Sequence, residues 1–261
     1  ARSILQQVLQ NDINNADAIF ELSMTYAKVS RFTEASIILR CLQLYKLNDV
    51  RVPYNLGLIY SIQGNHIEAL SAYNLALQIR PDDVEVLVNK ASTYNDIQNY
   101  VLALETLERA IQIKADIPEA WSNKGIALNN LNLFNESICA YNEATKLNPS
   151  YYEAWSNKSI PLNRLKKFFE ASEACDKALA LNPNYAEAWS NKGITLYELK
   201  SYDEAIAHCD KALSIKPDFP EAWFNKGLIL SEQSRALDAR TCFEKAIELK
   251  PNFHKSRWAK L

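Results

Sequence analysis

Glycine is scarce in this sequence, with 5 in 261 residues, and methionine occurs only once. So few glycines argue against glycine-rich phosphate loops and against a turn-rich all-β fold, and they favour long helices joined by tight turns. No apolar run approaches the roughly 18–20 residues that span a bilayer, so we predict no membrane insertion. The formal net charge of −2 gives no global basic field, so we predict no nucleic-acid partner.

Motifs of catalysis and of metal binding are also missing. None of GxGxxG, GxxxxGK[ST] and HExxH occurs. The histidines His66, His208 and His254 fall at different points of the repeat described below, so a regular stack cannot gather them into one site. His208 and Cys209 are adjacent and point about 100° apart on a helix, a poor geometry for a base and a nucleophile. We therefore predict no enzyme activity, no cofactor and no metal.

The five cysteines are spread along the chain without a CxxC pair. They are Cys41, Cys139, Cys175, Cys209 and Cys242. Cysteine is among the most buried residue types, so this spacing predicts buried free thiols in a reducing compartment, and hence a cytoplasmic protein.

What the sequence does contain is a segment that returns every 34 residues. EAWSNKG at 119–125 recurs as EAWSNKS at 153–159, EAWSNKG at 187–193 and EAWFNKG at 221–227, without insertions. Weaker copies precede it at 85–91, 51–57 and 17–23. A fixed period of this length indicates a repeat architecture in which each repeat is one supersecondary unit.

Small residues recur at three positions when the repeat is numbered so that the tryptophan is fourth. Position eight is Ser23, Gly57, Ala91, Gly125, Ser159, Gly193 and Gly227. Position twenty is Ala35, Ala69, Ala103, Ser137, Ala171, Ala205 and Ala239, and position twenty-seven is alanine in every repeat but the first, which has Leu42. Proline at position thirty-two of five repeats (Pro81, Pro149, Pro183, Pro217 and Pro251) closes a helix. This pattern resembles the tetratricopeptide-repeat family.

The resemblance implies an all-α fold, a right-handed superhelical solenoid of antiparallel helix pairs whose first helices line a concave groove. It divides the chain into seven repeats at 16–49, 50–83, 84–117, 118–151, 152–185, 186–219 and 220–253. Residues 1–15 fit the second helix of a truncated preceding repeat, and 254–261 fit the start of a further or capping helix. Because both ends cut a repeat and the first residue is not methionine, we expect a fragment or a processed chain.

In the family, positions two, five, six, nine, twelve and thirteen of the first helix face the groove. Position six holds a row of asparagines: Asn55, Asn89, Asn123, Asn157, Asn191 and Asn225. A side-chain amide donates and accepts at once, so each can pair with the C=O and the N–H of a passing peptide. The row is similar to that in the superhelix of O-linked N-acetylglucosamine transferases. The alternative is that these asparagines serve packing or solubility.

Position nine adds an apolar strip beside the amides, with Ile126, Ile160 and Ile194 at its centre. Half-burial within the helix pair is the alternative explanation for this strip. Small residues at position five (Ser122, Ser156 and Ser190) are expected to leave room for a ligand, and glutamates at position two to stabilise helix N-termini.

The groove positions lack the Lys and Arg clamp with which another branch of the family captures the C-terminal carboxylate tails of chaperones. Binding of such tails is therefore disfavoured. The lysines at position seven (Lys90, Lys124, Lys158, Lys192 and Lys226) are expected to lay their stems along the helix with the ammonium in solvent. Pro161 lies inside a first helix, where it predicts a kink or a local opening at Asn157.

The sequence thus predicts a scaffold or adaptor that binds an extended peptide or partner segment through the asparagines. Two alternatives stay open. One is a substrate-recruiting arm of a larger enzyme such as a glycosyltransferase. The other is a self-associating scaffold, a possible homo-oligomer formed through uncapped ends.

Overall fold

The computed structural model describes residues 16–45 and 48–251, and within this part of the chain it contains fourteen α-helices in sequential antiparallel pairs. The first helices of the pairs are α1 (Ala16–Lys28), α3 (Arg51–Ile62), α5 (Val84–Asp96), α7 (Pro118–Asn130), α9 (Tyr152–Arg164), α11 (Ala186–Glu198) and α13 (Pro220–Glu232). The second helices are α2 (Phe32–Tyr45), α4 (His66–Ile79), α6 (Tyr100–Ile113), α8 (Phe134–Leu147), α10 (Phe168–Leu181), α12 (Tyr202–Ile215) and α14 (Ala236–Leu249). The predicted all-α fold of helix pairs is confirmed.

The ends of the helices follow from local sequence. Each of α4, α8, α10, α12 and α14 stops two residues before a proline, because the ring restricts the preceding residue and removes a donor. Pro118 and Pro220 stand at the first residue of α7 and α13, where a missing N–H leaves no helical bond unmade.

The turn inside every pair is made by one residue with left-handed backbone at position fifteen. Its φ lies between 59° and 75° at Ser30, Gly64, Gln98, Asn132, Lys166, Lys200 and Ser234. Glycine adopts this conformation without a steric penalty, yet only one repeat uses it. The turn recurs in all seven pairs, but the positions of glycine in the sequence could not predict it.

The chain forms two compact units, one ending at Ala127 and the other beginning at Leu128. Within each unit a second helix packs against the first helix of its own pair and against the first helix of the next pair. The small residues at positions twenty and twenty-seven lie in these contacts and are almost fully buried. No pair closes its core alone, so stability is shared between neighbours.

Position eight brings the two helices of a pair closest together. A Cβ built on Gly57 would lie 2.4 Å from Cε1 of Tyr73, and one built on Gly227 would lie 2.6 Å from Cε1 of Phe243. Where position eight carries a side chain, as at Ala91, the residue packed beside it is smaller, here Leu107. Glycine at position eight thus accommodates the ring of Tyr73 or Phe243 at position twenty-four, although Gly193 lies against the smaller Cys209.

The structure corrects part of the expected cysteine burial. The α9 helix runs without interruption from Tyr152 to Arg164 with Pro161 buried inside it, and a kink at Asn157 stays a prediction. The predicted burial of the cysteines is correct for Cys175, Cys209 and Cys242, but Cys139 on α8 is exposed and Cys41 on α2 is only half-buried. The helices predicted at 1–15 and 254–261 lie outside the described residues.

Candidate functional site

In each compact unit, positions six and nine of consecutive first helices form a surface that is the candidate site, and we call these positions the first-helix wall. In the first unit, Asn55, Asn89 and Asn123 are all half-buried. In the second unit, Asn157 and Asn191 are half-buried too, whereas Asn225 is only 3% exposed. The wall therefore presents amides at the same helical position in successive repeats, with Asn225 withdrawn from solvent.

Amide nitrogens of the wall bind the neighbouring repeat. Nδ2 of Asn191 donates to Oγ of Ser156 at 3.1 Å, and Nδ2 of Asn225 donates to Oγ of Ser190 at 3.0 Å. In the first unit, Nδ2 of Asn89 donates to the hydroxyl of Tyr54 at 3.1 Å. In each case a position-six amide reaches position five of the preceding repeat, so these amides join adjacent first helices.

The expectation that small residues at position five leave room for a ligand is wrong. Ser156 and Ser190 are 0% and 2% exposed, and Ser122 is buried as well. The hydroxyls of the first two are occupied by the asparagines of the next repeat. Serine is small here because the neighbouring first helix lies against it, and its hydroxyl accepts a bond that would otherwise be lost in a dry contact.

The apolar strip at position nine lies beside the amides. Ile126 and Ile194 are half-buried, and Ile160 is 36% exposed. Ile126 and Ile194 are thus partly covered, as the half-burial explanation expects, and contact of this strip with a ligand stays a prediction.

A second set of asparagines occupies position twelve. Nδ2 of Asn95 donates to the backbone oxygen of Asn123 at 3.1 Å, and Nδ2 of Asn163 donates to Oγ1 of Thr195 at 2.9 Å. The Oδ1 atoms of Asn95, Asn129 and Asn163 are buried without a protein partner among the described residues. The amides of Asn95 and Asn163 therefore join one first helix to the next in the interior of the contact.

The tryptophans at position four hold the turn between repeats, a role that the sequence pattern did not reveal. Nε1 of Trp155 donates to the backbone oxygen of Pro149 at 3.0 Å, and Nε1 of Trp189 donates to that of Pro183 at 2.8 Å. Equivalent bonds join Trp121 to Ala115 and Trp223 to Pro217. The signal was present as a fixed spacing of six residues between a carbonyl before the helix and the indole within it.

The lysines at position seven are not simply solvated, because three of them pair with a carboxylate at position twenty-five of the preceding repeat. The pairs are Lys124 with Glu108, Lys192 with Asp176 and Lys226 with Asp210. Ammonium groups of this row also lie over the tryptophan or tyrosine rings of their own helices. The expectation that these ammonium groups stand in solvent is wrong for the paired lysines.

For two lysines of this row, Lys90 and Lys158, position twenty-five of the preceding repeat is asparagine instead of a carboxylate. Burial, with the nearby charge of Lys177, lowers the pKa of Lys158, whose Nζ lies 5.1 Å from the ring centroid of Trp155. Burial and the charge of Arg109 lower the pKa of Lys90 in the same way. At both lysines the loss of hydration outweighs the attraction of the nearby carboxylates, which are Glu105 for Lys90 and Glu170 and Glu173 for Lys158.

The described residues contain no group of histidine, cysteine, aspartate and glutamate side chains able to hold a metal ion. Across the same ranges, every helix is too short or too polar to cross a lipid bilayer.

Models of the tetratricopeptide repeat match the chain at 54–83, 84–117, 118–151, 186–219 and 220–253. No curated protein sequence matches the chain at a significant level.

Solved structures resemble the chain in fold. A tetratricopeptide repeat protein from Parabacteroides merdae is 18% identical with a TM-score of 0.78, over 92% of this chain and 94% of that one. A chain of the APC/C hetero-tetramer Cut9-Hcn1 is 19% identical with a TM-score of 0.75. The match covers 88% of this chain but only 45% of the Cut9-Hcn1 chain. YrrB, described as a TPR protein with an unusual peptide-binding site, is 20% identical with a TM-score of 0.50, over 74% and 99% of the two chains.

The matched repeats, the helix pairs and the small residues at fixed positions agree with one another. The chain belongs to the tetratricopeptide-repeat family, whose repeats generally serve as protein–protein interaction modules and are typically non-catalytic scaffolds.

Proposed function

We propose that this chain is a protein-interaction scaffold that holds an extended segment of a partner protein along the first-helix wall and carries out no chemistry itself. The residues in contact with the segment are Asn55, Asn89, Asn123, Asn157, Asn191 and Asn225, with Ile126, Ile160 and Ile194 beside them. The observation that carries the proposal is the row of partly accessible amides at one helical position in successive repeats.

Chemistry supports an extended peptide as the occupant. A flexible backbone offers polar groups at regular intervals, and amide side chains match such groups without a requirement for sequence. The apolar edge of Ile160 adds contact area for the side chains of the segment. Asn225 contributes least, since it is buried against Ser190.

Two relatives lend support by analogy. The YrrB structure is described as having a peptide-binding site, and the Cut9-Hcn1 structure as a hetero-tetramer, so similar folds bind peptides and protein partners. The narrower similarity of the amide row to that of O-linked N-acetylglucosamine transferases is part of the proposal and is based on the sequence alone.

The test is a pull-down with mass spectrometry that compares the parent chain with a wall variant. The wall variant carries Asn123→Ala, Asn157→Ala and Asn191→Ala, and it leaves the buried Asn225 in place. A matched control carries Asn74→Ala, Asn135→Ala and Asn184→Ala, three exposed asparagines outside the first helices. We expect the wall variant to lose partners that the parent and the control both retain, with circular dichroism confirming equal helix content. Identical partner lists for all three proteins would exclude the wall as the binding surface.

A further inference from the structure

The orientation of the wall amides can be read from their neighbours. Nδ2 of Asn55 lies 2.8 Å from the backbone oxygen of Arg51, and Nδ2 of Asn89 lies 3.0 Å from that of Glu85. A carbonyl oxygen can only accept a hydrogen bond, so the nitrogen and not the oxygen of each amide must face it. These contacts therefore determine which side of each amide carries the nitrogen and which carries the oxygen.

The second unit repeats this arrangement with a different acceptor. Nδ2 of Asn191 lies between Oγ of Ser156, at 3.1 Å, and the backbone oxygen of the same serine, at 3.4 Å. The backbone oxygen again requires the nitrogen on that side. The amide donors of Asn191 are thus directed to the preceding repeat and away from solvent.

The oxygen ends of the same amides have no such partners. Among the described residues, none donates a hydrogen bond to Oδ1 of Asn55, Asn89 or Asn191, and none of these oxygens is buried. Asn89 and Asn191 therefore offer acceptor oxygens while their amide nitrogens are bound within the protein, and Nδ2 of Asn55 uses one of its two N–H groups in the same way. This differs from the expectation that each amide pairs with both groups of a peptide unit.

On this basis we infer that the wall recognises backbone N–H groups, and not C=O groups, of its extended partner. The inference depends on the proposed function and sharpens it, because it names the peptide group that is bound. A proline in the partner has no backbone N–H, so it cannot donate a hydrogen bond to the asparagine Oδ1 atom that it faces.

The spacing of the rungs restricts the shape of the segment. Neighbouring first helices within a unit are in direct contact, and packed helices lie about 8–10 Å apart. A polyproline II segment rises about 3.1 Å per residue with three residues per turn, so every third residue returns to the same face after roughly 9.3 Å. In a β-strand the third residue points to the opposite face, since side chains and N–H groups alternate. The partner is therefore a polyproline II-like segment with a residue other than proline at every third position.

The test begins with the free protein. Side-chain amide protons of Asn89 and Asn191, followed by nuclear magnetic resonance, should exchange with solvent more slowly than those of Asn135, an exposed asparagine on α8. Equal exchange rates at the three sites would mean that the nitrogens face solvent, and would overturn the inference before any ligand is added.

The second stage uses a 15-residue peptide selected from a random phage-displayed library by panning on the full chain. Each amide of this peptide is replaced in turn by an ester, which removes one N–H and keeps the backbone shape. We expect a loss of affinity of about 3–10-fold at every third position and little effect between them. The loss at one of these positions should vanish against Asn191→Ala and persist against Asn135→Ala.

The outcomes separate this inference from the proposed function. If Asn191→Ala weakens binding without lowering the stability of the chain in urea unfolding, but no ester does, the wall binds peptide without recognising its N–H groups, and the inference fails alone. If the library yields no binder, or if Asn55→Ala, Asn89→Ala and Asn191→Ala all bind as the parent does, the proposed function fails and the inference fails with it.

Discussion

Replacement of Gly57 by alanine tests the size matching between positions eight and twenty-four. The new Cβ would lie 2.4 Å from Cε1 and 2.6 Å from Cδ1 of Tyr73, far inside van der Waals contact. Tyr73 is 1% exposed, so its ring cannot swing into solvent, and the two helices must separate. Overpacking of this kind costs about 1–3 kcal/mol. Alanine in a helix regains roughly 0.8–1 kcal/mol over glycine, so the net loss should be about 0–2 kcal/mol.

The double variant with Tyr73→Leu isolates the steric part. Leucine is the residue that Ala91 accepts at Leu107, one repeat later in the same unit. Tyr73→Leu alone destabilises by leaving space and by removing the contact of its hydroxyl with Ser61 at 3.4 Å. When Gly57→Ala is added, its methyl group fills part of that space, so the two changes should be non-additive by about 1–3 kcal/mol in favour of the double variant.

The assay is urea unfolding of the four proteins of this cycle, followed by circular dichroism, with amide hydrogen exchange to confine the effect to α3 and α4. The mirror-image exchange, Ala91→Gly with Leu107→Tyr, is the matched control and should also be tolerated only as a pair. Additivity within about 0.3–0.5 kcal/mol would refute the size matching, because independent sites behave in that way.

Three further predictions test other parts of the repeat. Trp189→Phe removes the donor to Pro183 and should lower the stability of the second unit by about 0.5–1.5 kcal/mol in urea unfolding, whereas an unchanged midpoint would show that the indole bond contributes nothing. Lys200→Gly relieves a φ of 61° and should raise the free energy of unfolding by up to about 1 kcal/mol, since the strain relieved exceeds the backbone entropy added; Lys200→Ala, the control, should not. Burial raises the pKa of Cys175 to about 11 and that of Cys209 to about 12, so at pH 8 only about a thousandth or less of either is thiolate. A thiol reagent should therefore label Cys139 and the half-buried Cys41 in the folded protein and reach Cys175 and Cys209 only in denaturant; rapid labelling of Cys175 or Cys209 without denaturant, located by mass spectrometry, would contradict this ordering.

Much of the fold could be predicted from the sequence because steric roles recur with the period. Glycine, alanine and serine at positions eight, twenty and twenty-seven mark where helices touch, and those positions are buried. Proline marks where the second helices stop. Each of these steric effects depends on a single residue type at a single position, so the sequence alone is enough to predict it.

The left-handed turn at position fifteen could not be predicted in this way. Residues as different as Gln98, Asn132 and Lys166 adopt it, because the packing of the two flanking helices imposes the conformation on whatever residue is present. Local preference would have favoured glycine, and only Gly64 agrees with it. Here tertiary packing outweighs a steric penalty of about 1–2 kcal/mol at one residue.

Orientation of the wall amides required contacts between repeats. The sequence places Asn at position six but does not identify the atom it meets thirty-five residues earlier, which belongs to Tyr54 for Asn89 and to Ser156 for Asn191. Position five carried the missing information, because a hydroxyl there supplies an acceptor. When position five is taken as space left open for a ligand, the donors of the position-six amides are wrongly expected to bind that ligand.

The wall residues both stabilise the stack and face the proposed ligand, and this dual role limits what alanine substitution can reveal. Removing the side chain of Asn191 deletes the bond to Ser156 along with the acceptor offered to a partner, so a loss of binding has two possible origins. Removing an N–H from the peptide perturbs only the partner, since the free protein is unchanged. In a solenoid whose stability is a sum over neighbouring repeats, binding surfaces and repeat interfaces share residues, and ligand modification separates the two roles more cleanly than mutation does.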